Sequence, residues 1–113
     1  MNKLERAREL RDRTKQFALR IIHCFTALPK NGAARVIGRQ FLRSGTSIAA
    51  NYRAVCRARS PAEFIAKMGT VVEEADETVF WLDLLIGSRL VATKRLEPLL
   101  QKASSYSKYF RAR

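Results

Sequence analysis

Apolar residues recur at spacings of three and four along nearly the whole chain, and the stripes they draw resolve into four helices. Over about residues 2–28, Leu4, Ala7, Leu10, Thr14, Phe17, Ile21, Phe25 and Leu28 share one face, with Arg6, Arg13 and Arg20 off it. Pro29-Lys30-Asn31-Gly32 ends that run: proline cannot continue the helical hydrogen bonding, Asn31 is placed to cap the next helix, and Gly32 relieves the backbone. The second helix, about 33–57, carries Ile37, Phe41, Ser44, Ile48, Tyr52 and Val55 on its main stripe. A second stripe of small residues, Gly38, Gly45, Ala49 and Cys56, runs beside it. Small residues admit another backbone at close range. Two usable faces predict burial in a bundle on one side and contact with another subunit on the other, which makes Gly38, Gly45 and Ala49 candidate subunit-interface positions.

The third helix has the clearest start. Ser60 caps, Pro61 suits the first helical position and Glu63 sits where a capping box places its acid. Over 61–86, Phe64, Met68, Val71, Ala75, Val79, Leu82 and Ile86 form its stripe. The segment from Phe80 to Ile86 is apolar over an arc too wide for one intramolecular face. It is read either as all core or as partly covered by a second subunit through Phe80 and Trp81. Gly87 supplies a stop, Thr93 is in position to cap, and Pro98 falls near the first turn of a fourth helix over 94–110. There Leu96, Leu99 or Leu100, Ala103, Tyr106 and Phe110 face inward. Four helices joined by short connections predict an all-α protein, a single domain over 1–113 built as an antiparallel four-helix bundle.

Charge changes this picture most at the third helix. The chain carries 22 Lys and Arg against 10 Asp and Glu, a net charge of +12. Residues 30–59 hold seven bases and no acid, whereas 60–87 hold one base and six acids. A one-signed second helix needs negative neighbours, so Arg39 and Arg43 are expected to meet Glu73 and Glu77 of the third helix. A solvated surface and a paired-carboxylate site are the other readings of those acids. The bases outside that set are Arg53, Arg57 and Arg59, then Arg6, Arg13 and Arg20, then Lys94, Arg95, Lys102, Lys108, Arg111 and Arg113. They are candidate contacts to RNA or DNA phosphates, with Arg53 and Arg57 one turn apart and Arg59 extending the patch.

Several function classes lose their support. There is no Walker loop, dinucleotide fingerprint or HExxH. A di-metal bundle site needs Glu-x-x-His elements, and His23 is the only histidine. His23 and Cys24 are adjacent and so point about 100° apart on a helix, which does not build a nucleophile pair. No catalytic residue, metal or cofactor is expected. Cys24 and Cys56 show no metal or disulfide spacing, which suits a reducing, cytoplasmic setting. No apolar run reaches the roughly 18 residues of a membrane span, and the charged N-terminus lacks the apolar centre of a signal peptide.

The run Arg39–Ala54, with Gln40, Arg43, Ser47-Ile48 and Asn51, resembles the four helix bundle protein family, also known as the 23S rRNA intervening sequence protein family. The junction Arg57–Phe64 and the acidic segment Glu73–Leu82 are similar to it as well, so 39–86 matches well and the outer helices match in layout. Where the family usually carries Glu-Gly after the Asn, this chain has Arg53-Ala54, which makes the second helix more basic. The resemblance implies a left-handed up-down-up-down bundle assembling as a ring-like homopentamer, with no catalysis. Family members are encoded within intervening sequences of bacterial large-subunit rRNA genes. Related accessory proteins of diversity-generating retroelements form basic pentameric barrels that bind nucleic acid and partner a reverse transcriptase. Carried onto this chain, the resemblance makes Arg43 with Glu73 or Glu77 structural positions and Asn51 a helix–helix or loop anchor. The expected function is a non-enzymatic homo-oligomer that binds RNA or DNA through phosphate. The alternative is an adaptor whose charge meets an acidic protein partner.

Overall fold

The computed structural model describes residues 1–112 and contains four helices: α1 (Lys3–Ala27), α2 (Gly32–Cys56), α3 (Pro61–Gly87) and α4 (Thr93–Arg111), with no strand among the described residues. Arg113 lies outside the described residues. A helix of 25 residues is about 38 Å long at the α-helical rise. The 43 Å long axis of the molecule therefore has the helices lying along it. No helix among the described residues is long and apolar enough to cross a membrane.

Local chemistry sets the helix ends. The Asn2 side chain accepts from the Glu5 N–H at 2.8 Å and donates back to the Glu5 carboxylate at 3.0 Å. The Ser60 hydroxyl accepts from the Glu63 N–H at 3.1 Å, with Pro61 in the first turn. Three other ends differ from expectation. Asn31 occupies the cap position of α2 without a side-chain cap bond, and the turn depends instead on Gly32 at φ 58°, a left-handed conformation that suits glycine. At the end of α3 the left-handed residue is Arg89 (φ 60°), two positions beyond Gly87. Thr93 is the first residue of α4; the cap position falls to Ala92, which has no side-chain oxygen to offer.

The core runs the length of the bundle through Phe17, Ile21, Phe41, Ile48, Val71, Leu82, Leu85, Leu96 and Phe110, all fully enclosed. Leu99 is the residue of α4 that turns inward, with Leu100 half-buried beside the core. Leu4 and Phe64, expected on the inner stripes, are exposed near the ends of α1 and α3. On α3 the inner stripe also takes in Thr78, Glu74 and Leu85, while Val79 and Ile86 pack at its margin. Thr78 is tolerated inside because its hydroxyl donates to the Glu74 carbonyl of its own helix at 2.8 Å. It also meets the Ser44 hydroxyl of α2 at 3.1 Å. Thr14 does the same on α1, donating to the Leu10 carbonyl at 2.8 Å.

Helices adjacent in sequence pack extensively, α2 on α3 most of all, whereas α1 and α4 touch sparingly. The small stripe of α2 is used inside the chain, which corrects its reading as a subunit interface. A Cβ on Gly45 would stand 2.8 Å from two carbons of Ile21, and one on Gly38 would stand 3.1 Å from Leu28. Both glycines are buried by α1 of the same chain, and Ala49 is half-buried along the same seam. Cys56, at the end of that stripe, is exposed.

Two glycines one helix apart are therefore expected to respond oppositely to alanine. Gly45→Ala should cost about 1–3 kcal/mol in chemical denaturation, because the enclosed Ile21 has nowhere to move. Gly69→Ala, with open space around its Cβ, should gain about 1 kcal/mol from helix propensity. Arg89→Gly should also raise the unfolding free energy, by about 1 kcal/mol, by releasing a side chain from the left-handed region.

Candidate nucleic-acid interface

The acids of α3 decide which bases stay free. Arg43 reaches across from α2, its Nη1 3.1 Å from a Glu74 carboxylate oxygen and its Nη2 on Glu77. Glu74 is the buried member, with side-chain exposure of 11% against 47% for Arg43. Burial pushes its carboxyl above the usual carboxylate range, a hydrogen bond shared with Glu77 adds to this, and the Arg43 guanidinium pulls the other way. Asp76 accepts from the Ser107 hydroxyl and from Arg111 at 2.7 Å, tying α4 to α3.

Two expected members of this network fall outside it. Glu73 and Arg39 are exposed and form no ion pair among the described residues. Glu74 takes the place expected of Glu73 because the α3 face turned to Arg43 is set by Val71, Ala75 and Thr78 packing inward. Arg111, read as a phosphate contact, is engaged by Asp76, and Arg13 has an exposed partner in Glu9 at 3.6 Å. Asn51 donates to the Ser47 carbonyl within α2 at 2.8 Å rather than anchoring a loop or a second helix.

Two basic fields lie on either side of α1. The first begins at the α2–α3 junction, where Arg53, Arg57, Arg59 and Lys67 line one groove with Glu63. Arg53 also borders the α1–α2 groove, which holds Arg8, Arg11 and Lys15 together with Asp12. One face therefore runs from the start of α3 across the end of α2 onto α1. Lys67, Arg8, Arg11 and Lys15 were not singled out from the sequence, although Arg8, Arg11 and Lys15 stand at spacings of three and four and so share one side of α1.

The second field lies along the α1–α4 seam, where Arg13, Arg20, Arg95 and Lys102 line two adjoining grooves. Arg6 stands apart from both, at the rim of an apolar recess of about 750 Å³ at one end of the bundle, beside Lys3 and Arg59. Lys94 and Lys108 are exposed on α4 and border none of these grooves; Arg113 lies outside the described residues.

Chemistry beyond charge is sparse. His23 and Cys24 border the same part of the α1–α4 seam, but burial pushes the Cys24 thiol up, with Arg95 opposing, so the thiolate is disfavoured. Among the described residues no three His, Cys, Asp or Glu side chains converge as metal ligands do. On the surface of α3, Phe80 is 52% exposed and stacks edge-on against half-buried Trp81 at 5.0 Å, with Leu84 exposed one turn on. The Trp81 indole N–H is enclosed and has no acceptor.

Known proteins place this architecture. The sequence profile described as 23S rRNA-intervening sequence protein matches residues 7–112. The chain is also similar to a crystal structure of a protein with unknown function from the S23 ribosomal protein family of Bacteroides thetaiotaomicron VPI-5482. The two are 34% identical over 90% of this chain and 94% of that one, with a TM-score of 0.83. Comparison with curated proteins finds no match.

The Arg43 bridge gives a pH signature. Because the folded-state pKa of Glu74 is raised, its ionisation opposes folding, and the native state gains relative to the unfolded chain as pH falls through that raised value. Arg43→Met strips the compensating cation and raises Glu74 further. The variant should lose about 1–2 kcal/mol at neutral pH, discounted for the half-exposed arginine. That loss should shrink on acidification as Glu74 becomes neutral, measured by denaturant titration between neutral and acidic pH.

Proposed function

The chain belongs to the 23S rRNA-intervening sequence protein family, and on that premise we propose that it is a non-enzymatic homo-oligomer that binds RNA or DNA through backbone phosphates. One observation carries the reading. Arg53, Arg57, Arg59 and Lys67 run on into Arg8, Arg11 and Lys15 as one face, while the acids of α3 that form ion pairs are turned to Arg43 and Arg111. Glu63 and Asp12 are the acids on that face, against seven cations. Such a field attracts a polyanion by counterion release, a term that does not depend on sequence.

The reading includes an up-down-up-down course of the helices. Gly38 lies against Phe25 and Leu28, while Gly45 lies against Ile21, so later residues of α2 meet earlier residues of α1. Arg53 and Arg57 group with Glu63 and Lys67 while Arg43 meets Glu74 and Glu77, which runs α3 back along α2. It also includes a closed ring of subunits, five in number as the family resemblance implies. The surface proposed for it is the apolar part of the α2–α3 face. One and two turns beyond the Arg43–Glu77 pair, Phe80 and Leu84 come level with Gln40 and Val36, and Phe80, Leu84 and Val36 are all exposed.

Titration of structured RNA, single-stranded RNA and duplex DNA should give affinities that fall linearly with salt on a log–log plot, with a slope of about −3 to −6. Arg53→Glu with Arg57→Glu should flatten that slope by about two and leave the assembly mass unchanged. Absence of binding to all three near physiological salt would refute the nucleic-acid reading and favour an acidic protein partner on the same face. Light scattering should give a particle several-fold heavier than the 12.9 kDa chain, and Phe80→Glu should reduce it to the monomer. A strict monomer at micromolar concentration rules the ring out.

A further inference from the structure

At one end of the bundle, the starts of α1 and α3 and the ends of α2 and α4 surround the apolar recess of about 750 Å³. That volume falls within the roughly 300–1,000 Å³ of small-molecule sites. Buried Leu10, Val55, Met68 and Phe110 line it from the core side. Phe64 has the spacing of the inner stripe of α3 and yet is 39% exposed, because it borders this recess. Phe110 packs between Tyr52 and Tyr109, with ring centroids 5.3 Å from each, so three of the four surrounding helices contribute aromatic rings. Lys3, Arg6 and Arg59 stand on the rim, and no Asp or Glu among the described residues lines it.

An occupant that suits this recess is apolar where it enters and anionic where it leaves. An acyl chain with one headgroup and an aromatic base on a phosphate backbone both meet that description, and the surroundings separate them. One headgroup would be matched by Lys3, Arg6 and Arg59 alone. The cations do not stop at the rim: Arg59 also belongs to the neighbouring groove, which holds Arg57, Arg53 and Lys67. From the α1 side, burial pushes the Tyr52 phenol up and Arg11 opposes it, which brings the other half of the basic face within electrostatic range of the recess wall. A row of cations leading up to an aromatic recess matches a ligand with a charge on every repeat and a planar ring on each.

We infer that the recess takes an unpaired nucleobase of a single-stranded segment, stacked on Phe64, while the adjoining phosphates lie on Arg59 and along the basic face. Bases inside a duplex are paired and stacked on one another, so entry selects strands whose bases are already free. In taking a strand as ligand this rests on the phosphate-binding reading above, and it adds a contact that charge alone does not provide.

The test uses the full chain and two single strands of equal length at one salt concentration: oligodeoxyadenylate, and an abasic backbone that keeps every phosphate and lacks every base. The base-bearing strand should bind about tenfold tighter, within the worth of one stacked base. Phe64→Leu should remove most of that preference and bind the abasic strand as the parent does, whereas Phe64→Tyr, which keeps a stacking face, should retain it. Cys56 is exposed and borders the recess, so it reports on occupancy. At saturation the base-bearing strand should slow its alkylation by iodoacetamide, read by mass spectrometry, and the abasic strand should leave the rate close to that of the free protein. Equal binding of the two strands overturns the inference and leaves the phosphate reading standing; binding of neither overturns both. A base preference that survives Phe64→Leu with Cys56 still reactive puts the base elsewhere and overturns it too. Protection of Cys56 by laurate and by neither strand would assign the recess to an acyl anion instead. Light scattering of Phe64→Leu should give the parent's mass, and a lighter particle would make the recess a contact between subunits and sink the base site.

Discussion

An arginine that must find acid across a helix interface organises this bundle. From Lys30 to Arg59 the chain has no carboxylate, so α2 repels itself unless a neighbour answers it. α3 answers through Glu74 and Glu77 at Arg43, one turn from the enclosed contact between Ser44 and Thr78. The ion pair faces half-exposed water and supplies little net stability by itself. Its effect is on register: sliding α3 by one turn would separate Arg43 from both acids and leave two buried hydroxyls facing apolar side chains. α1 is held to α2 by a different constraint, the close approach of Ile21 over Gly45, which tolerates no added carbon. Charge sets one seam and volume sets the next.

That division explains where the free cations go. Once Glu74 and Glu77 are turned to Arg43, and Asp76 to Arg111, little acid remains to quench the ends of α2 and the flanks of α1. The surplus positive charge is thereby sorted into two fields separated by the width of α1. A chain with the same +12 spread evenly would draw polyanions just as strongly, but would offer no preferred path along its surface.

Features governed by local chemistry were legible in the sequence. Ser60 with Pro61 marks the start of α3, Pro29 the end of α1, and the inward stripes of α1 and α2 follow from spacing. What escaped depended on how helices rotate about their own axes. On α3, Val79 and Thr78 fit the period almost equally well, and hydropathy favours the valine. The structure turns Thr78 inward because a threonine can satisfy its hydroxyl on its own backbone. The same rotation brings Glu74 into the network and leaves Glu73 in solvent. The small stripe of α2 was visible, but not which backbone would use it. The grouping of Lys67 with Arg53 and Arg57 joins two helices and no one-helix pattern contains it. At Thr93 and Gly87 standard punctuation was present and the chain used neighbouring residues instead.

The sparse seam between α1 and α4 also has a consequence for how the molecule comes apart. α4 is joined to the rest chiefly by α3, starts at an uncapped alanine, and follows a connection that forces Arg89 into a left-handed conformation. α1 likewise has one extensive seam, with α2, but its start is capped by the Asn2 side chain. The uncapped start and the left-handed Arg89 predict that native-state opening begins at α4, with the amide hydrogens of its first turns exchanging while those of α2 and α3 stay protected. The hinge of that opening is the 88–92 connection.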